Sequence, residues 1–140
     1  MGKEKVIAGF IGAGGIARSH VFSLNSLKYY YNDAPDPELA AVCSATRESR
    51  ELFAHRFGFT RACDLDNFIS DETINTVFIL GPNKVHYDHF RAVLGMKGVN
   101  RIYLEKPVCS TPGEEASMRK LVALNPAIRF QVGFQYIFTS

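Results

Sequence analysis

The sequence predicts an α/β domain built on a doubly wound parallel sheet. Three observations predict it. Apolar runs of strand length alternate with helical patterns along nearly the whole chain, and such alternation implies right-handed βαβ crossovers with helices on both faces of the sheet. The leading runs are apolar on both faces, as strands inside a parallel sheet are. The first of them, Val6-Ile7-Ala8-Gly9-Phe10-Ile11, meets a glycine-rich corner, Gly12-Ala13-Gly14-Gly15-Ile16-Ala17, and a helical pattern leaves that corner.

The bulk numbers agree with one domain. A chain of 140 residues can bury roughly 68–70% of its unfolded surface. Hydrophobic residues make up 46% and charged residues 21%, as in ordinary globular proteins. Lys plus Arg is 16 and Asp plus Glu 14, a net charge of +2; this balance argues for neither nucleic acid nor an anionic membrane as partner. Cys43, Cys63 and Cys109 are an odd set without a C-x-x-C pair. They read as reduced thiols of a cytoplasmic protein, not as a disulfide frame or a zinc site. No apolar stretch reaches the ~18 residues of a membrane span. Met1-Gly2-Lys3-Glu4-Lys5 has no signal-peptide pattern, and Val6 stands where a myristoylation signal needs Ser or Thr.

The elements follow in order. Residues 5–11 read as a buried strand. The next helix carries Ile16, Ala17, Val21, Leu24 and Leu27 on one stripe, with His20 beside it as a core-edge histidine. Tyr29-Tyr30-Tyr31 is expected to cap the core beside a turn-rich loop, Asn32 to Pro37. Residues 38–44 read as the second strand and 47–57 as the second helix, with Phe53 and Phe57 one turn apart and Gly58 as its stop. A brief third strand precedes a short helix at 64–69. Residues 73–80 are rich in β-branched and aromatic side chains and read as a buried strand, closed by Gly81-Pro82-Asn83. A helix at 85–94 turns Phe90, Val93 and Leu94 inward, and Gly95 and Gly98 close it.

A short strand at 101–104 runs into Glu105-Lys106-Pro107. Thr111-Pro112-Gly113-Glu114 is a capping box with proline at the first helical position. Its helix buries Met118, Leu121 and Val122 and stops by Pro126. From about residue 127, Ile128, Phe130, Val132, Phe134, Tyr136 and Phe138 alternate with Arg129, Gln131, Gly133, Gln135 and Thr139, a strand of period two. It reaches Ser140 without turn residues. The expected domain is therefore 1–140, truncated before a second α+β domain into which this strand leads.

The corner carries the first chemical signal. Gly12, Gly14 and Ala17 fit the G-x-G-x-x-G/A spacing that holds a dinucleotide pyrophosphate in a Rossmann-type sheet. Gly12 permits the tight turn, and Gly14 lets the backbone come close to the phosphates. Ala17 is small enough for the helix to pack on the first strand. The helix N–H groups and positive dipole end then face the anion. A glycine-rich turn with no ligand is the alternative; the strand before it and the helix after it favour the site, with Gly12, Ala13, Gly14, Gly15 and Ile16 as cradle. On residue type alone Glu105-Lys106 is a solvated charge pair, but it stands at a C-terminal strand end, where open parallel sheets bind ligands. His86 and His89 have no third ligand nearby, so no metal is expected.

Four segments in this order resemble the N-terminal domain of the glucose–fructose oxidoreductase and inositol dehydrogenase family, Gfo/Idh/MocA. They are Gly12-Ala13-Gly14-Gly15-Ile16-Ala17, Gly81-Pro82-Asn83-Lys84-Val85-His86, Glu105-Lys106-Pro107 and Val132-Gly133-Phe134-Gln135-Tyr136. The resemblance covers nearly all of the chain. It implies an NAD(P)-dependent oxidoreductase acting on CH–OH groups, with a hydride moving to or from a sugar, polyol or related alcohol. Lys106 would lie near the nicotinamide and exchange a proton with the substrate hydroxyl, a role suited to a lysine that is buried beside a positive ring. Glu105 would bind the nicotinamide-side ribose. Pro107 would fix the turn, in the family often through a cis bond.

The resemblance also makes Gly81, Pro82, Asn83 and His86 part of the cofactor site, with Asn83 and His86 flanking a ribose. Gln135 would approach the nicotinamide or substrate, while Ile137 stands where many members carry arginine. The absent second domain would supply most substrate contacts and a homo-oligomer interface, so this chain is expected to bind dinucleotide without turnover. A non-catalytic NAD(P)-sensing regulator on the same fold is the alternative; Lys106 argues against it, since a sensor needs no proton carrier.

Cofactor choice turns on the end of the second strand. An Asp or Glu about 20 residues past the glycines marks NAD sites; here the insertion from Tyr29 to Pro37 moves that point to Ser44. Ser44, Thr46 and Arg47 offer hydroxyls and a guanidinium that fit a 2′-phosphate. NADP is therefore preferred over NAD. The NAD alternative makes Arg47 an ordinary surface residue and uses Glu48.

Overall fold

All five neighbouring strand pairs are parallel, and the strand order is β3-β2-β1-β4-β5-β6. The computed structural model describes residues 4–133. The strands are β1 (Val6–Ile11), β2 (Pro37–Cys43), β3 (Arg61–Cys63), β4 (Thr76–Ile79), β5 (Arg101–Glu105) and β6 (Arg129–Gly133). The helices are α1 (Gly15–Tyr30), α2 (Arg47–Phe57), α3 (Leu65–Ile69), α4 (His86–Leu94) and α5 (Pro112–Leu124), with a 3-10 turn at Asn83–Val85 before α4. The order reverses beside β1: the chain winds outward to β2 and β3, then crosses to β4, β5 and β6. That reversal leaves a crevice above the C-terminal ends of β1 and β4.

The sheet is covered on both faces, as the unbroken apolar runs require. Phe10 of β1 faces one layer with Ala17, Val21, Val42, Phe53 and Phe59. Its neighbour Ile11 faces the other, with Ile79, Phe90, Val93, Ile102 and Leu104. Side chains alternate along a strand, so β1 has no polar face to spare.

Local chemistry sets the helix ends. Thr46 caps α2 by accepting from the Ser49 amide at 3.2 Å, and Gly58 ends that helix at φ 78°. At α5 the Thr111 hydroxyl accepts from the Glu114 amide, and the Glu114 carboxylate accepts from the Ser110 and Thr111 amides at 2.7 and 3.2 Å. Such caps contribute about 1 kcal/mol each.

Three expectations are corrected. The fourth strand is shorter than 73–80, because Asp71 Oδ1 captures both the amide and the hydroxyl of Thr73 and the ladder starts only at Thr76. Tyr29, Tyr30 and Tyr31 do not cap the core; they are 77%, 78% and 64% exposed, because α1 runs through Tyr30 and turns them outward. Of the α1 stripe only Ala17 and Val21 are buried; Ile16 is exposed beside the crevice. Gln135 and the rest of the expected last strand beyond Gly133 lie outside the described residues.

Candidate functional site

The crevice is built from the β1 end outward. Gly12 has φ +122°, and its amide donates to the Cys43 carbonyl at 2.8 Å. A Cβ there would fall 2.8 Å from the Leu80 carbonyl carbon and 2.9 Å from the Gly81 nitrogen, so the corner is wedged between β2 and β4. Gly14 and Gly15 differ: a Cβ on either would meet nothing within 4 Å. Gly14 is the N-cap of α1 and brings no side-chain cap, and the first turn holds no acidic residue. The first N–H groups of α1 thus face an open cleft of about 950 Å³, within the size range of small-molecule sites.

At the β2 end the cleft is lined by Ser44, Thr46, Ser49, Arg50, Asp64 and Leu65. The Ser44 hydroxyl donates to the Thr46 carbonyl, and Arg50 Nη1 donates to the Ser44 carbonyl, both at 3.2 Å. Arg47 is not in the cleft. It is exposed and donates through Nε to Glu51 at 2.6 Å along the outer face of α2. Glu48 does not line the cleft either. The guanidinium in the crevice is Arg50, three residues further into the helix and so on the face that carries the cap. Asp64 caps α3; the amide and side chain of Asn67 both donate to it and hold its carboxyl below the usual carboxylate range.

At the β4 end Gly81 and Pro82 line the cleft, with Lys84, Val85 and His89. Asn83 is exposed outside that lining. His86 is buried beneath it: Nε2 lies 2.6 Å from the Gly81 carbonyl oxygen and Nδ1 lies 2.7 Å from the Pro107 carbonyl oxygen. Both ring nitrogens are thus engaged with backbone, and the ring ties the β4 loop to the β5 loop. His89, one turn later, has a buried Nδ1 without a hydrogen-bond partner among the described residues. Burial, reinforced by the neighbouring His86, lowers its pKa.

The β5 end lies past this lining. Glu105 Oε1 lies 3.0 Å from His20 Nε2 and accepts the Tyr103 hydroxyl at 3.1 Å, while Oε2 accepts the Lys106 amide at 3.1 Å. Burial, then the Glu105 carboxylate, pushes the Tyr103 phenol up to about 12. His20 is indeed a core-edge residue, packed on Tyr103 and Phe78. The Lys106–Pro107 bond is cis. Lys106 is exposed, so the burial expected of it is not supplied by the described residues. Its ammonium has no ion pair or hydrogen bond among them. No group of three or more His, Cys, Asp or Glu is placed to hold a metal among the described residues, nor is any helix of theirs long and apolar enough to cross a membrane.

Sequence reasoning missed Arg50, Asp64 and His89. Helix phase, counted from the Thr46 cap, was the signal that separates Arg50 from Arg47; nothing local marks the other two.

A switch-point crevice with an open helix N-terminus defines a dinucleotide-binding domain of the Rossmann class. Residues 6–134 match the family model described as "Oxidoreductase family, NAD-binding Rossmann fold", and the chain belongs to this Gfo/Idh/MocA family. It is 31% identical over 132 residues to glucose-6-phosphate 3-dehydrogenase of Bacillus subtilis (strain 168), which covers 94% of this chain and 34% of that protein. Among solved structures it resembles levoglucosan dehydrogenase in complex with NADH, with a TM-score of 0.87 at 27% identity over 95% of this chain and 36% of that one. Scyllo-inositol dehydrogenase from Lactobacillus casei, with NAD(H) and scyllo-inositol, matches at TM-score 0.80 and 19% identity over 98% of this chain and 38% of that one, a likeness of fold. The chain spans about a third of the length of these relatives.

Proposed function

We propose that this chain is the cofactor domain of an NAD(P)-dependent dehydrogenase acting on a sugar, a polyol or a related alcohol. One observation carries the reading. The unobstructed Gly14–Gly15 entry to α1 opens on the cleft, and Lys106, exposed and unpaired among the described residues, stands at the end of β5. The residues fit a dinucleotide: a cradle that a Cβ would fill, an orphaned imidazole nitrogen and a guanidinium share one crevice. When bound, the nicotinamide supplies hydride acceptance or donation.

The chain does the rest. The α1 N–H groups and dipole hold the diphosphate, with Gly12, Ala13, Gly15 and Ile16 shaping the turn. Gly81 and Pro82 bound the cleft on the β4 side, and Asn83 flanks the ribose from the 3-10 turn. His86 supports that loop from below. Glu105 accepts a ribose hydroxyl. Lys106 holds or gives the proton at the substrate hydroxyl. The relatives' names supply the substrate class. A cytoplasmic setting and a homo-oligomer complete the proposal.

NADP is the preferred cofactor. Ser44 is neutral where NAD sites place an acid, and Arg50 and Thr46 offer a 2′-phosphate a guanidinium and a hydroxyl, while the Ser44 hydroxyl donates to the Thr46 carbonyl. NAD is the second reading: the ionised Asp64 repels a phosphate at the same end, and the levoglucosan dehydrogenase neighbour is a complex with NADH. Fluorescence titration of the chain with NADPH and NADH is the test. Saturable binding, tighter for NADPH, is expected; tighter NADH reverses the cofactor choice, and no binding of either ends the reading.

A further inference from the structure

His20 and Tyr103, the side chains that hold Glu105, are not used by any step above. A carboxylate has about four lone-pair positions. Here three are filled from within the chain: His20 and Tyr103 take Oε1, and the Lys106 amide takes one position on Oε2. Among the described residues one acceptor position remains, on Oε2. The His20 and Glu105 side chains are only 17% and 12% exposed. The imidazole is further held by the Tyr103 ring at 4.7 Å and the Phe78 ring at 5.5 Å. Turning the carboxylate would break hydrogen bonds to a charged acceptor in a half-dry site. The neighbouring strand makes room for the cluster only because residue 133 is glycine. A Cβ there would fall 2.0 Å from Tyr103 Oη and 3.2 Å from Glu105 Oε1. His20 belongs to α1, so the cluster ties the helix that faces the diphosphate to the strand end that carries Lys106.

We propose that His20 and Tyr103 are positioning residues for the nicotinamide-side ribose: they fix the Glu105 carboxylate so that its one free acceptor, on Oε2, meets a ribose hydroxyl. Neither touches the cofactor. The inference rests on the reading that Glu105 contacts that ribose.

The experiment uses the 140-residue chain, which has no tryptophan to obscure dinucleotide fluorescence. Two ligands are titrated: NADPH or NADH, whichever binds the native chain tighter, and ADP, which lacks the second ribose. Glu105→Gln should weaken the dinucleotide by about tenfold, and His20→Leu and Tyr103→Phe by about three- to tenfold, with ADP affinity held within about twofold. His20→Gln, whose amide nitrogen can replace Nε2 as donor, should restore dinucleotide affinity to within about twofold of native. Gly133→Ala should reproduce the selective loss by displacing the Tyr103 hydroxyl.

If Glu105→Gln is selective but His20→Leu and Tyr103→Phe bind as native, the positioning role falls and the ribose contact stands. If Glu105→Gln also binds as native, both fall. Equal loss of ADP and dinucleotide, or no rescue by His20→Gln, makes the cluster structural only and overturns the proposal. Should His20→Leu fail to fold, Tyr103→Phe and His20→Gln, which keep the ring packing or the donor, decide between the same outcomes.

Discussion

The two ends of the crevice are built in opposite ways. At the β2 end the polar side chains belong to two short stretches, Ser44 to Arg50 and the Asp64 cap, and their hydrogen bonds run to neighbours within six residues. At the β5 end the bonds cross the fold: His20 reaches Glu105 over 85 positions and His86 reaches Pro107 over 21. The first end is exposed and locally held, so a side chain there can change without disturbing the sheet. The second is cross-linked through half-buried groups, where an unmade bond leaves a polar atom stranded at a cost of about 1–3 kcal/mol. Ligand choice is thus separable from folding at one end and bound up with it at the other.

The glycine corner, where the two ends meet, gives the largest expected effects and the sharpest break. Gly12→Ala should cost about 2–4 kcal/mol in denaturant unfolding, since φ +122° is strained for alanine and its Cβ strikes the Leu80–Gly81 backbone just after β4. Gly14→Ala should leave stability within about 0.5 kcal/mol yet weaken dinucleotide binding by about tenfold or more, because its methyl occupies the ligand's space. If the two variants behave alike, the separation of fold from ligand fails at the corner itself.

A smaller effect tests the β2 end. Arg50→Ala should weaken NADPH by about tenfold, the scale of a lost hydrogen bond to a charged group. Arg47→Ala, paired with Glu51 on the outer face, should change it by less than about twofold. The comparison is read by titration, and equal effects would return Arg47 to the site. Neither variant should shift the melting temperature appreciably.

The smallest effect lies between the ends, at His89. Burial and His86 lower its pKa, so as pH falls below the ordinary value of 6.5 the unfolded chain takes up a proton that the folded chain resists. Stability should therefore fall as pH drops from 6.5 toward that lowered value and level off beneath it. His89→Gln should flatten this slope in urea melts; an unchanged slope would assign it to other groups.

Much of this was legible from neighbouring residues. The alternation of strands and helices, the corner at Gly12–Gly15, the capping box at Thr111 and the stop at Gly58 each depend on a handful of adjacent positions, because periodicity and capping hydrogen bonds are short-range. The Glu105-Lys106-Pro107 strand end was legible for the same reason. Packing settled the partners, although helix phase from the Thr46 cap already set Arg50 apart from Arg47. Arg50 rather than Arg47 entered the crevice because α2 docks on the sheet by one face. His86, expected to flank a ribose, was drawn beneath the β4 loop, and the three tyrosines turned outward because α1 ran on past its apolar stripe. His20 and Glu105 became neighbours only when α1 folded back across β5. A contact between groups so far apart along the chain leaves no trace in the residues beside either of them, since it is created by the closing of the sheet.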